Sequence, residues 1–166
     1  QGSPYEGPIT LDRTCDLRFV ALLGAEVSPV VTARFNAIPN DWKLEITSTP
    51  NPQYTAGGAD ALIDGRRGPE NWRTGSWQGY EGQDFVAVLD LGEARPLQAV
   101  GASFLQDMRS WIFMPRELVV EVSADGRNWR PAGSVGHEVP DREEGIFLAD
   151  LAAPLDGSPV RAMARV

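Results

Sequence analysis

The chain has 166 residues, 42% of them hydrophobic, which suits one ordinary domain with a real core plus at most a short appendage. Fifteen Lys and Arg stand against 23 Asp and Glu, a net charge of −8 that repels phosphate backbones and excludes nucleic acid as a partner. The longest apolar runs, such as Phe19 to Leu23, are far too short to span a bilayer, and the one cysteine, Cys15, excludes an internal disulfide.

Gln1-Gly2 reads as a tag remnant and is set aside. Pro8 to Leu11, Leu17 to Leu23 and Pro29 to Phe35 read as three short strands, with Cys15 a small half-buried residue at a strand start. A break in character near Ala37 to Asp41 divides this segment from the rest. Phe85 to Gly92 reads as a core strand ending at glycine, and Leu97 to Leu105 follows after a Pro96 turn. Leu118, Val120 and Val122 alternate with Val119, Glu121 and Ser123, the period of a half-buried strand. Asp125-Gly126 then turns a hairpin, and a last strand runs from Val160 to Val166 after Gly157-Ser158-Pro159. No apolar stripe of helical period persists for three turns. Short strands separated by turn signals predict an all-β antiparallel sandwich.

From about Trp42 onward an ordered series of residues carries a family resemblance. It comprises Ala61-Leu62-Ile63-Asp64-Gly65, Trp72, Trp77, Val88-Leu89-Asp90-Leu91-Gly92, Val100-Gly101, Trp111, Val120-Glu121-Val122-Ser123, and Asp125-Gly126 with Trp129. No member of the series is specific, but its order over roughly ninety residues is telling. The chain resembles the factor V/VIII type C, or discoidin-like, domain. Tyr54-Thr55-Ala56-Gly57-Gly58 and Gln106 to Pro115 make it similar to the C-terminal modules of bacterial β-N-acetylhexosaminidases. Tyr5 to Leu11, Leu17 to Ala21 and Ser28-Pro29 resemble the end of the small immunoglobulin-like domain that precedes such modules.

The resemblance implies a jelly-roll sandwich over 39–166, with ligand loops gathered at one end, after a partial immunoglobulin-like β segment at 3–38. The family pattern continues past Val160 to Val166 into one more loop and a closing strand, so a sandwich lacking that strand is one expectation. An edge left open in this way would recruit a second copy by strand exchange; otherwise no oligomer is expected. The resemblance also implies a structural Ca2+, galactose- or N-acetylglucosamine-type glycans as ligands, a neighbouring catalytic domain in the same parent chain, and a secreted, periplasmic or cell-surface bacterial setting.

Pyranose C–H faces stack on aromatic rings, so five tryptophans invite a search for sugar contacts. Trp72, Tyr80 and Trp111 lie in polar loop segments and are the candidate platforms, with Tyr54 a candidate of lower rank. The competing expectation is that such rings plug the ends of the sandwich. Trp42, Trp77 and Trp129 are assigned to structure. Arg73 and Arg109 offer planar forks of donors to vicinal hydroxyls, although an arginine beside Asp107 also suits an ordinary loop ion pair. For the implied calcium, Asp64 before Gly65 offers a carboxylate and the family pattern adds the Leu62 carbonyl, while Asp64 could equally cap its own turn.

Catalysis finds little support. His137 is the single histidine, in a polar loop, so no Ser-His or Cys-His nucleophilic pair suggests itself. Asp141, Glu143 and Glu144 read as solvated surface rather than a glycosidase pair in a cleft. The expected function is a non-catalytic carbohydrate-binding module. The alternative is an accessory domain that packs on a catalytic domain without binding sugar.

Overall fold

The computed structural model describes residues 3–35, 37 and 41–164; Gln1-Gly2 and the last two positions of the expected terminal strand lie outside that range. The chain divides into two compact units, Gln1–Pro39 and Asn40–Val166. Among the described residues there are strands and single 3-10 turns but no α-helix.

In the first unit, β1 (Cys15–Phe19) pairs antiparallel with β4 (Val31–Phe35), in register from Cys15↔Phe35 to Phe19↔Val31. Between them, β2 (Leu22–Leu23) and β3 (Glu26–Val27) close a tight hairpin over Gly24, whose φ of 62° is a left-handed conformation that glycine adopts without steric penalty. Two expectations fail here. Pro8 to Leu11 forms no strand, and the run Leu17 to Leu23 is cut in two at Val20-Ala21. The cut has a cause: Ala21 is tied to Ser28 twice, amide to hydroxyl and carbonyl to amide, both at 2.9 Å, which turns the chain into the hairpin. Cys15 is half-buried with a free thiol.

The second unit is a sandwich. One sheet has five strands in the order β5 (Lys43–Ile46), β6 (Ala87–Pro96), β11 (Pro159–Ala164), β8 (Glu117–Ser123) and β9 (Arg130–Gly136). The other pairs β7 (Ala99–Asp107) with β10 (Ile146–Pro154) in unbroken antiparallel register. Both sheets feed one core: Leu91, Leu118, Val120, Val122 and Val160 come from the first, and Leu151 and Ala153 from the second. The predicted alternation in β8 holds on its core face, where Leu118, Val120 and Val122 are sealed from solvent. The last strand, β11, is flanked on both sides, by β6 and β8.

Gly92 does not end its strand. The Asp90 carboxylate accepts the Gly92 N–H at 2.8 Å, and Gly92 at φ 79° lets the chain bulge before β6 resumes to Pro96. The Asp125-Gly126 hairpin is wider than a two-residue turn. The Asp125 carboxylate accepts the backbone N–H groups of Asn128 and Arg127 and the Asn128 side-chain amide, and these bonds hold its pKa far below the ordinary carboxylate range.

The pairings sort the connections of this unit into two rims. Loops 47–86, 108–116 and 137–145 meet at one end of the strands; connections 97–98, 124–129 and 155–158, including Trp129, lie at the other. Deleting core volume should show the weight of the shared interior. Leu118, fully buried, is expected to lose about 2–5 kcal/mol on Leu118→Ala in a urea melt. Leu148→Ala, on the outer face of β10, should stay within about 0.5 kcal/mol.

Candidate functional site

The 47–86 excursion is knitted to itself before it can present anything. Ser48 Oγ donates to the Asp84 carbonyl and accepts the Val86 N–H, both at 2.7 Å. Gln78 Nε2 donates to the carbonyls of Gly58 and Thr55, while its Oε1 accepts the Tyr80 hydroxyl at 2.5 Å. Two contacts then carry this loop over the outer face of the β7–β10 pair. Arg67 meets Asp150 at 2.7 Å, and the Trp72 indole N–H donates to Asp107 Oδ2 at 3.0 Å. Leu105 and Asp107, on that outer face of β7, are buried.

The sequence-selected residues fall into three groups. Tyr80 is turned to structure: its hydroxyl is engaged, its ring lies 4.8 Å from Phe85, and burial raises its pKa. Tyr54, Trp72 and Arg73 form one half-covered cluster. Tyr54 meets the Trp72 ring edge-on at 5.7 Å, and the Arg73 guanidinium lies 4.0 Å from the Trp72 ring centre. Trp72 is placed by a 3-10 turn, Trp72–Thr74, begun by the Asn71 side chain, which accepts the Arg73 N–H, and ended at left-handed Gly75. Trp72 thus has its indole N–H engaged by Asp107 and the Arg73 guanidinium stacked on its ring.

Trp111 is the opposite case. It follows the 3-10 turn Met108–Ser110, is 83% exposed, and holds φ 59°, ψ 33°. A bulky side chain in that region costs about 1–2 kcal/mol and persists only where the surroundings impose it. The imposition is visible. Asp107 and Ile112 exchange both backbone hydrogen bonds, at 3.0 and 3.1 Å, closing the loop beneath the ring. Ser110 Oγ donates to Asp107 Oδ2 at 2.7 Å, the oxygen that also accepts from Trp72. The Ser110 hydroxyl first, then the Trp72 indole, hold the Asp107 carboxyl below its usual pKa, against the opposing effect of burial.

Phe113 stands 53% exposed with its ring 6.3 Å from Trp111, nearly perpendicular. Arg109 pairs with Glu144 of loop 137–145; that bond raises the arginine pKa and lowers the glutamate's. Gln106, buried at the end of β7, pins the same loop through its bond to the Pro140 carbonyl at 3.0 Å. The rim thus brings together Tyr54, Trp72 and Arg73 through Asp107 with the loop bearing Arg109 and Trp111, and leaves Tyr80 in the supporting layer. Phe113, Asp107 and Glu144 were absent from the sequence-based selection. The nearness of Phe113 to Trp111 in the sequence is the available signal for the first.

The tryptophans assigned to structure differ among themselves. Trp77 donates to the Pro69 carbonyl at 2.8 Å, and its ring fills the space where any Cβ at Gly68 would stand, 2.3 Å away. Trp42 packs against the core. Trp129 is partly exposed on the far rim.

Asp64 Oδ1 accepts the Arg66 N–H at 2.8 Å, the turn-capping geometry, with Gly65 at φ 76°. Leu62 ends the 3-10 turn Ala59–Leu62. Oxygen donors suit a hard cation that takes six to eight of them. No group of three or more His, Cys, Asp or Glu suited to a metal is assembled among the described residues, so a cation here would draw chiefly on backbone carbonyls.

No family model matches the chain, and no curated protein matches its sequence. The solved structures similar in fold include three that are each 18% identical. The C-terminal domain of a chitobiase from Bacteroides fragilis has a TM-score of 0.49, over 78% of this chain and 82% of that one. CpGH89CBM32-5 from Clostridium perfringens, in complex with GalNAc-β-1,3-galactose, has a TM-score of 0.45 over 75% and 81%. CpGH89CBM32-6, produced by the same organism, has a TM-score of 0.41 over 77% and 83%. Likeness at this level says nothing of what the present chain binds.

Trp111→Gly separates strain from packing. Glycine removes the left-handed penalty and little buried area is lost, so thermal melting should stay at or near the wild-type temperature; a fall of several degrees would mark the ring as structural.

Proposed function

We propose that the chain is a non-catalytic carbohydrate-binding module of a secreted, glycan-acting bacterial protein, which takes galactose- or N-acetylglucosamine-type glycans on the rim formed by Trp111 and Phe113. One observation carries the reading: a large aromatic ring is held out to solvent in a backbone conformation that disfavours it. Two rings set at an angle offer the apolar C–H face of a pyranose something to stack on, and Arg109, Glu144 and Arg73 supply donors and acceptors for hydroxyls nearby. A net charge of −8 favours neutral over acidic glycans. Single-site affinity is weak in such an arrangement, and the gain comes from tethering a catalytic domain of the same parent chain to a polymer.

Titration with galactose, N-acetylglucosamine and their short oligomers tests the proposal. Saturable binding is expected, and Trp111→Ala should weaken it at least tenfold, about 1.4 kcal/mol. Absence of binding by the wild-type protein would favour an accessory role in which the module packs on a catalytic domain without holding sugar.

Calcium belongs to the same proposal, with the Asp64 carboxylate and the Leu62 carbonyl as ligands and the function of fixing the base of loop 47–86. Millimolar calcium is expected to raise the melting temperature of the wild type and leave Asp64→Ala unmoved. A melting curve indifferent to both calcium and chelator would remove the ion from the account.

A further inference from the structure

We propose that Asp107 is the positioning residue of this site: its buried carboxylate holds Trp111 in the posture that accepts a sugar, without touching the sugar itself. The inference rests on the platform reading above. Its basis is a convergence at one oxygen. Asp107 Oδ2 accepts from the indole of Trp72, at the head of one rim loop, and from the hydroxyl of Ser110, the residue before Trp111 in another. Asp107 is itself only 7% exposed, on the outer face of β7 beneath the 47–86 loop, so a ligand at the rim reaches the ring and not the acid.

The geometry explains why both donors are needed. Ser110 stands immediately before the left-handed residue, so its bond fixes the direction in which the chain enters that conformation. Trp72, weighted by Tyr54 on its edge and Arg73 on its ring, gives the carboxylate a partner that cannot swing away. The backbone exchange between Asp107 and Ile112 then closes the loop on the far side of Trp111. Loss of the carboxylate would leave the Trp72 indole N–H and the Ser110 hydroxyl without an acceptor, and Trp111 free to relax toward an ordinary backbone conformation.

The test is a double-mutant cycle on glycan affinity, with Trp111→Ala, Asp107→Ala and the pair together, and thermal melts on each to confirm folding. Asp107→Ala is expected to lose tenfold or more, and the double variant to be no weaker than Trp111→Ala alone, because the acid acts through the ring. Ser110→Ala and Trp72→Phe, which remove one donor each and keep the carboxylate, should lose severalfold. They serve in place of Asp107→Ala if that variant fails to fold. A ligand-free readout separates the two claims: the indole N–H resonances of Trp72 and Trp111, assigned by single Trp→Phe variants, should both shift when Asp107 or Ser110 is replaced. Losses that multiply in the double variant would overturn the inference and leave the platform standing. So would unchanged binding with the Trp111 resonance unmoved. A wild-type protein that binds none of the sugars would overturn both.

Discussion

A carboxylate shut away from water has to be answered by donors, and at Asp107 the donors come from two loops far apart in sequence. That requirement ties the outer layer of the module together. It fixes where the 47–86 excursion settles on the β7–β10 pair and anchors the turn Met108–Ser110, and the left-handed conformation that this turn runs into leaves an indole standing in solvent. Remove the interaction and loop 47–86 loses its tie to the turn before Trp111, while Arg109 and Glu144 still join the other two rim loops. Keep it, and a strained exposed ring is a property of the fold rather than of one residue.

The sandwich beneath supplies the rigid frame. Its interior draws on both sheets, and the antiparallel pairings leave no choice about which connections share an end. The long connections fall on one rim and the short ones on the other, so the proposed site lies where chain length is available to build it. The hairpin at Asp125, with its dense set of local bonds, shows the other rim using its residues for closure.

Much of this frame was legible from local pattern. The alternation at Leu118, Val120 and Val122 marked β8, and Asp125-Gly126 marked the hairpin. β10 carries little local signal because its two faces barely differ: Ile146 and Leu148 point outward while Ala149 and Ala153 point into the core, so polarity carries little contrast. Gly92 read as a terminator because glycine ends strands and bulges them alike, and only the register of β11 decides between the two. At the rim, the sequence offered Trp72, Tyr80 and Trp111 on equal terms. What ranks them is partnership with residues far along the chain, above all Trp72 with Asp107, and no local window contains that information. Arg109 and Asp64 were read with both a structural and a binding role open; the structure shows the ion pair with Glu144 and the turn cap on Arg66, while the binding roles rest on the proposal.

A binding role for the Trp111 rim depends on where a glycan lands. Chemical-shift mapping during a titration with N-acetylglucosamine or galactose reports that directly, through the five indole N–H signals and the backbone amides around them. The expected result is movement centred on Trp111 and Phe113, fading through Ser110 toward Trp72, with Trp129 on the far rim silent. Shifts gathered at Trp129 and the 124–129 turn, with Trp111 still, would contradict it.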